Sequence, residues 1–249
     1  MSLLGKRKTY VNQWMSRNAG KYRGAWGPST GTRYRSARRV FRRRGPYRTG
    51  GFYGASMRPR MERKVVDVAS AQYGCNTTGS VTLLNGCATG TDMTERIGRM
   101  VKTVSVQVRG YITTDAASDA NVGQLARVMV VEDSQTNGVA PTITDILQTA
   151  SSLSFMNLNN RERFKVHYDL IVNIGPRVVT ATQAVAGDKS TEVVNWYKKV
   201  NIPVTFEGTG ATSASICSGG LYLVTIGNVA AGTNDCSAFL CCRTRFVDG

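Results

Sequence analysis

The sequence predicts an all-β body, a two-sheet antiparallel sandwich or barrel, that follows a basic N-terminal arm. Three observations predict this architecture. From about residue 62 onward, apolar and polar residues alternate with a period of two, and breaks rich in glycine, serine and threonine separate the runs. The runs do not alternate with helical segments, which excludes a βαβ fold. The net charge of +16 lies entirely in the first quarter of the chain.

The body, residues 62–249, contains eight or nine candidate strands and no internal repeat. In the run from Val101 to Thr113, Val104, Val106 and Val108 alternate with polar residues, as in a strand with one buried face. In chain order, the predicted strands span residues 65–71, 79–85, 101–113, 125–132, 163–172, 177–185, 196–206, 220–226 and 238–247.

The predicted strand at 163–172 carries the only histidine of the chain. A histidine near an aspartate can orient a general base, but no nucleophile motif accompanies this pair, so a solvated cross-strand pair is the expected arrangement. Alternation predicts an apolar face of Phe164, Val166, Tyr168 and Leu170, and a polar face of Lys165, His167 and Asp169.

One short helix interrupts the strands. The segment Ile143–Thr149 follows a proline, and Thr142 stands three residues before Asp145, the spacing of a capping box. Two tracts, residues 85–99 and 115–124, lack the alternation and predict long loops. Such loops are candidates for contacts between subunits.

The arm, residues 1–61, holds 16 basic residues and no acidic residue, whereas residues 62–249 hold 16 of each. Only four leucine, isoleucine or valine residues occur in the arm, so it cannot bury enough apolar surface to offset the entropy of ordering. We therefore expect an arm that does not fold alone, joined to a body that carries no net charge.

The composition of the arm predicts binding to single-stranded nucleic acid. Arginine outnumbers lysine 13 to 3, and nine aromatic residues lie between the basic ones. Guanidinium groups bind phosphates bidentately, and aromatic rings stack with unpaired bases. Packing of these rings beneath neighbouring subunits is the alternative for any one of them. The candidate nucleic-acid-binding residues are Arg17, Arg23, Arg33, Arg35, Arg38, Arg39, Arg42, Arg43, Arg44, Arg48, Trp14, Trp26, Tyr34 and Phe41.

Two basic clusters of the arm also fit the loose pattern of nuclear import signals. The arm lacks an apolar face at helical spacing and is interrupted by glycines, and the chain has no apolar stretch of about 18 residues, so membrane insertion is not expected. The predicted import residues are Lys6, Arg7, Lys8, Arg38, Arg39, Arg42, Arg43 and Arg44.

The sequence offers little for catalysis or metal binding. A single histidine excludes sites built on paired imidazoles, and the six cysteines include no C-x-x-C pair, so we expect buried thiols, with a Cys75–Cys87 disulfide as the minor alternative. Glu132, Asp133 and Asp145 suggest a Ca²⁺ site between subunits, but strand-end acids that face solvent or pair with arginine are favoured. We expect no catalytic residue, metal or cofactor, and no enzyme.

Four segments resemble the capsid proteins of small circular single-stranded DNA viruses, the circovirus, cyclovirus and geminivirus relatives. Gly90–Arg99, running into the strand that follows, is similar to a G-x-x-x-x-x-R-x-G-r pattern of those capsids. Leu125–Asp133 resembles their next strand with its acidic end, and Arg161–Asp169 and Lys198–Ile202 fit the same order.

The resemblance implies an eight-stranded jelly roll that assembles into a small icosahedral shell of about 60 copies. It implies a single-stranded DNA genome packaged by the arm, residence in the virion and in the host nucleus, and partners that include a nuclear import receptor and a cell-surface receptor. Two alternatives stay open from the residues alone. One is a non-assembling nuclear nucleic-acid-binding module with a basic tail, and the other is a coat protein that packages RNA.

Overall fold

The computed structural model describes residues 62–114, 124–175, 177–180, 183–186, 191–232 and 236–248, with the backbone alone for 177–180 and 183–186. These residues form eleven strands and one α-helix. The strands are β1 Lys64–Cys75, β2 Ser80–Leu83, β3 Met100–Thr114, β4 Gln124–Asp133, β5 Phe164–Ile174, β6 Arg177–Thr180, β7 Gln183–Ala186, β8 Thr191–Phe206, β9 Ile216–Ser218, β10 Gly220–Gly227 and β11 Cys236–Asp248, and the helix is α1 Ile143–Ile146.

The strands form two antiparallel sheets and a hairpin. The five-stranded sheet has the order β1-β11-β3-β8-β9, the four-stranded sheet has the order β2-β10-β4-β5, and β6 pairs with β7. Along the chain, β1 to β4 alternate between the two sheets, as do β8, β10 and β11. This is the jelly-roll arrangement of two four-stranded sheets, with β9 added at one edge. The all-β, jelly-roll expectation is therefore confirmed.

The main core lies between the two sheets. Val106, Val108 and Ile112 of β3 point inward from one sheet, and Leu221 and Leu223 of β10 point inward from the other. All five are at most 1% exposed. Alternation along each strand puts the remaining side chains on the outer faces of the sandwich.

A second core covers the outer face of the four-stranded sheet. The connection from β4 to β5, residues 134–163, folds over this face and buries Ile146 and Leu147 against Met129 and Tyr222. We call residues 134–163 the covering segment. It contains α1 and a 3-10 turn at Leu158–Asn160.

The capping box predicted for α1 is present. The backbone amide of Asp145 donates to the Thr142 hydroxyl at 3.2 Å, and the Thr142 amide donates to the Asp145 carboxylate at 2.8 Å. The helix ends at Ile146 rather than at Thr149, because Leu147 is extended and forms a β-bridge with Met156.

The prediction of which β5 side chains share a face is wrong for the residues after Val166. Val130 pairs with Tyr168 but Val131 pairs with Val166, so His167 is an extra residue in β5, a β-bulge. An extra residue inverts the alternation. Phe164 and Val166 therefore pack in the second core, whereas Tyr168 packs in the main core.

Other differences concern boundaries. The predicted strand at 177–185 is the β6–β7 hairpin, and the strand expected at 196–206 begins earlier, at Thr191. The tract 85–99 is a loop, as predicted, with one isolated bridge between Thr89 and Arg96. Most of the second predicted loop, residues 115–123, lies outside the described residues.

Candidate assembly and nucleic-acid surfaces

Every residue predicted to bind nucleic acid or to act in nuclear import lies in residues 1–61, outside the described residues. Those assignments stay predictions. What the structure places is the body, and three of its features bear on function: the end where the arm joins, the charged outer face of one sheet, and exposed apolar side chains on loops.

The end of the body next to the arm is anchored by a buried lysine. Lys64, the first residue of β1, is 2% exposed. Its Nζ lies 3.2 Å from the carboxylate of Asp248 and donates to the carbonyl of Glu95 at 2.8 Å. These bonds join the start of β1 to the end of β11 and to the loop before β3, so the first strand of the body is fixed at its beginning.

The motif that includes Arg96 is explained by structure rather than by ligand binding. Arg96 is 2% exposed, and its guanidinium lies 4.1 Å from the ring centre of Phe206. It donates to the carbonyls of Cys87 at 3.2 Å and Gly98 at 2.7 Å, and to that of Gly208. Arg96 thus joins the β2–β3 loop to the turn after β8.

The histidine does not pair with Asp169. Its Nε2 donates to the Glu132 carboxylate at 2.7 Å, across the β4–β5 ladder, and the His167 side chain is 4% exposed. Asp169 instead receives two bonds from Arg127, at 2.8 and 2.7 Å. The expected cross-strand pair is therefore present, but its partner is Glu132 and it is largely buried rather than solvated, because the bulge at His167 moves the ring away from Asp169.

The three acids weighed as a Ca²⁺ site each have protein partners, and for Asp133 the partner is an arginine, as the favoured alternative predicted. Asp133 is fully buried and binds Arg163 bidentately, with both bonds at 2.8 Å. Glu132 bonds with His167, and Asp145 caps α1. Among the described residues, no group of three or more His, Cys, Asp or Glu is arranged to hold a metal ion.

The six cysteines lie within the described residues, and none is in a disulfide, so the Cys75–Cys87 alternative is wrong. Burial raises the pKa of the Cys87 thiol to about 11 and that of Cys242 to about 12. These thiols stay protonated at neutral pH and pack as small apolar groups, as expected.

Large apolar side chains are exposed on the loops. Phe155 and Leu153 of the covering segment are 81% and 63% exposed, and Ile97, in the loop before β3, is 67% exposed. Exposed apolar side chains of this size are common where proteins associate. Among the described residues, no helix has the length and apolarity to cross a bilayer.

The sequence reasoning missed the charge of one sheet face. The outer face of the five-stranded sheet carries exposed basic residues on β3, β8 and β11, strands that were predicted for their apolar alternation. The sequence did contain the basic residues of this face, such as Arg109 and Arg243, at the polar positions of those strands. It becomes visible only when the sheet order brings the three strands side by side.

The satellite tobacco necrosis virus coat protein family matches residues 55–246, which include nearly all of this jelly roll. The chain belongs to that family. The capsid protein of Satellite tobacco necrosis virus 1 is 28% identical over 169 residues, which are 65% of this coat protein and 76% of that relative.

Two solved structures of infectious bursal disease virus, the Gx strain and a VP2 subviral particle, align with 76% of this coat protein at 9% and 8% identity. The TM-scores are 0.23 and 0.24, and this chain spans 32% and 38% of theirs. At such scores the likeness carries no argument, and the fold stands on the strand order given above.

The family match confirms a viral coat protein, a structural component of the virion. It corrects the narrower resemblance, because the matched family is that of a satellite virus and not of the circular single-stranded DNA viruses. The motif at Gly90–Arg99 misled because its arginine serves the body's own loop packing. Loop packing of this kind is not a mark of one viral lineage.

Proposed function

We propose that this chain is a shell subunit that assembles into a closed icosahedral particle and packages single-stranded nucleic acid through the arm, residues 1–61. The observation that carries the proposal is the family match, which spans the β body at residues 55–246. The acid-free arm supplies the charge for a polyanion. The role is structural, and we expect no catalytic activity.

In this proposal, the body makes the contacts between subunits and the arm binds the nucleic acid. The body has 16 basic and 16 acidic residues, so copies of it do not repel one another strongly, and its exposed loop residues Leu153, Phe155 and Ile97 offer apolar contact area. About 60 arms of +16 would carry roughly 960 positive charges, enough to neutralise on the order of a kilobase of single strand. Binding through phosphates and base faces does not read sequence.

The expectation of single-stranded DNA as cargo depended on the resemblance to circular DNA viruses. Because the matched family is a different one, RNA, the alternative, gains support and DNA loses it. The contacts proposed for the arm, guanidinium to phosphate and ring to base, suit either strand. The cargo is therefore identified by the nuclease test below.

Electron microscopy and sedimentation of the purified full chain test the shell. We expect uniform closed particles sedimenting as one large species. A protein that stays a monomer or small oligomer at all concentrations and ionic strengths would contradict the shell and favour the nucleic-acid-binding module.

A second experiment tests the arm and identifies the cargo. In a variant with Arg38, Arg39, Arg42, Arg43 and Arg44 replaced by glutamine, we expect particles with less co-purified nucleic acid than in the wild type. Unchanged nucleic-acid content would refute packaging by the arm. Digestion of the extracted wild-type cargo with DNase or RNase then shows which nucleic acid it is.

The nuclear import signal, and with it residence in the host nucleus and an import receptor, stays a proposal that rests on the two basic clusters. A fluorescent protein fused to residues 1–61 should enter nuclei, and replacing Lys6, Arg7 and Lys8 by alanine should reduce its nuclear fraction. Equal distribution of both fusions would contradict this role. A cell-surface receptor is expected from the resemblance alone.

A further inference from the structure

The outer face of the five-stranded sheet presents an ordered array of side chains to solvent. Antiparallel pairing places residues of β1, β11, β3 and β8 in rungs across the sheet. Two successive rungs are Asp67–Arg243–Gln107–Tyr197 and Val65–Arg245–Ser105–Lys199. We call this surface the basic face.

The basic face carries a local excess of positive charge, although the net charge of residues 62–249 is zero. Among the described residues it carries one acid, Asp67, which Arg243 binds at 2.7 and 2.6 Å. Outside this face, the described side chains of residues 62–248 comprise 11 acids and 9 bases. Among the described residues, positive charge is therefore concentrated on this face. The five basic residues of this face are Lys102, Arg109, Lys199, Arg243 and Arg245.

The basic face also has a depression of the size of a nucleotide. A register shift in β1 between Val68 and Ala71 leaves a hollow of about 300 Å³. It is lined by Arg109, Gln107 and the Arg243–Asp67 ion pair, together with apolar and cysteine side chains, so Arg109 is its cation without a carboxylate partner in the hollow. With its amide oriented by its hydrogen bonds, the Gln107 oxygen accepts from the Nε and Nη2 of Arg109, both at 2.9 Å. This bond holds the Arg109 guanidinium at the hollow, where it can meet a phosphate.

Exposed rings lie on the same face. Tyr111 stacks on Phe239 with ring centres 5.2 Å apart and is 43% exposed, and Tyr197 is 51% exposed. Arginines interspersed with solvent-facing rings are the combination that binds single strands, through phosphate contacts and base stacking. The arm ends at residue 61, four positions before Val65 of the second rung, so the basic arm and the basic face are close along the chain.

The opposite side of the sandwich does not offer such a surface. There the covering segment buries the four-stranded sheet and exposes apolar side chains such as Leu153 and Phe155. Of the two broad faces, the basic face is thus the one with charge complementary to a polyanion.

We propose that the basic face is a second contact surface for the packaged single-stranded nucleic acid, built into the folded body, and that this sheet therefore lines the interior of the shell. The inference rests on the proposed function, and it adds a binding surface that does not depend on the arm.

Salt dependence of binding tests the surface. The full chain with Lys102, Arg109 and Lys199 replaced by glutamine is compared with a matched variant in which Arg161, Lys165 and Lys198, which lie off this face, are replaced. Binding of a labelled 20-nucleotide oligothymidylate and of oligouridylate is measured from 0.05 to 0.5 M NaCl. For the first variant we expect the slope of log K against log salt to fall by about 2, since each phosphate contact contributes roughly 0.7.

We expect the matched variant to keep the wild-type slope. Equal slopes in all three proteins, or equal losses in both variants, would overturn the basic face as a binding surface. Circular dichroism shows whether each variant keeps its β structure. If the triple variant does not fold, single substitutions are tested instead, beginning with Lys199→Gln.

Photocrosslinking in filled particles tests the orientation without any substitution. Ultraviolet irradiation followed by mass spectrometry should find nucleotide adducts on peptides that contain Tyr111 or Tyr197, and not on the peptide that contains Phe155. Adducts on Phe155 alone would reverse the proposed orientation. The arm variant described above separates the two proposals. If that variant loses packaged nucleic acid while the basic-face variant keeps the wild-type slope of log K against log salt, packaging by the arm is supported and the basic face is refuted.

Discussion

Arg96 joins two loops from inside the body. Its guanidinium donates to three backbone carbonyls, from Cys87, Gly98 and Gly208, and lies over the ring of Phe206. The planar guanidinium group of arginine can donate hydrogen bonds to three acceptors in this way, whereas the compact ammonium group of lysine cannot reach all of them.

We predict that Arg96→Lys lowers the free energy of unfolding by about 2–4 kcal/mol, because buried carbonyls lose their donors. Urea unfolding of the unassembled protein measures the change. The control is Arg99→Lys, an exposed arginine that makes one bond, to the carbonyl of Phe206, and should cost less than about 0.5 kcal/mol. Equal losses of unfolding free energy in the two variants would show that the three hydrogen bonds of the Arg96 guanidinium add no stability beyond that of an exposed arginine.

Gly110 shows how closely two strands approach in the five-stranded sheet. It has φ +153°, and a Cβ at this position would overlap the carbonyl oxygen of Phe239 on β11. Gly232 has a similar φ of +157°, but a Cβ there would meet no atom of the described residues within 4 Å.

We predict that Gly110→Ala destabilises the body by more than about 2 kcal/mol, because the backbone of β3 or β11 must move. Gly232→Ala shares the backbone strain without the overlap and should cost less. The difference between the two urea midpoints isolates the steric contribution. A Gly110→Ala protein as stable as Gly232→Ala would contradict the close approach.

At the scale of elements, the covering segment is held to its sheet by an arginine as well as by the second core. Arg127 of β4 is buried, and its Nη1 donates to the carbonyl of Ser154 at 2.6 Å while its Nε and Nη2 bind Asp169. The short helix α1 starts this segment's apolar contacts through Ile143 and Ile146. Its capping box therefore sets where the segment begins to pack.

We predict a pH-dependent contribution from Asp145. Hydrogen bonds from Thr142, the side chain first, hold the pKa of Asp145 below its ordinary value of 3.8. A lowered pKa in the folded state stabilises the protein above pH 3.8, and this contribution is lost as the pH falls through the lowered value. The wild type should therefore be more stable than Asp145→Asn at pH 6, and the difference should shrink toward pH 3.

Urea unfolding of both proteins from pH 6 to pH 3 measures this difference. Thr142→Ala, which removes the cap hydroxyl, should cost about 1 kcal/mol, and Asp145→Asn should have a smaller effect in that background. A stability difference independent of pH would exclude the carboxylate as the cause.

The elements show what the sequence could and could not predict. The strands of both sheets and the cap at Thr142 follow from alternation and local spacing, which depend on near neighbours. The bulge at His167 could not be predicted, because it depends on the register with β4, more than 30 residues away. Strand β9 could not be predicted because its three residues are too few to show an alternation. The basic face required the sheet order, since β3 and β11 are separated by more than 100 residues.

At the scale of the whole molecule, the described core is contained in the body. Both hydrophobic clusters are formed by residues from Tyr73 onward, with Val66 and Val68 packed against the first. Because we propose that the arm binds the cargo and the body makes the shell contacts, we expect the two to be separable.

We predict that deletion of residues 1–44 leaves a folded body that can assemble without nucleic acid. Circular dichroism should keep the β signal, and the particles should hold less nucleic acid than wild-type particles, because the basic face and the three arginines of residues 45–61 are the cationic contacts that remain. Loss of the β signal would refute the division into arm and body. A nucleic-acid content equal to that of the wild type would refute packaging by residues 1–44.

The first strand of the body pairs with its last, Lys64 opposite Phe246 and Cys75 opposite Cys236. Because β11 lies between β1 and β3, the middle of the larger sheet waits for residues that the ribosome adds about 170 positions after β1. Contacts of such long range make folding slow. The larger sheet therefore cannot close before β11 has been synthesised, and contacts between subunits that need the complete sheet must form after that point.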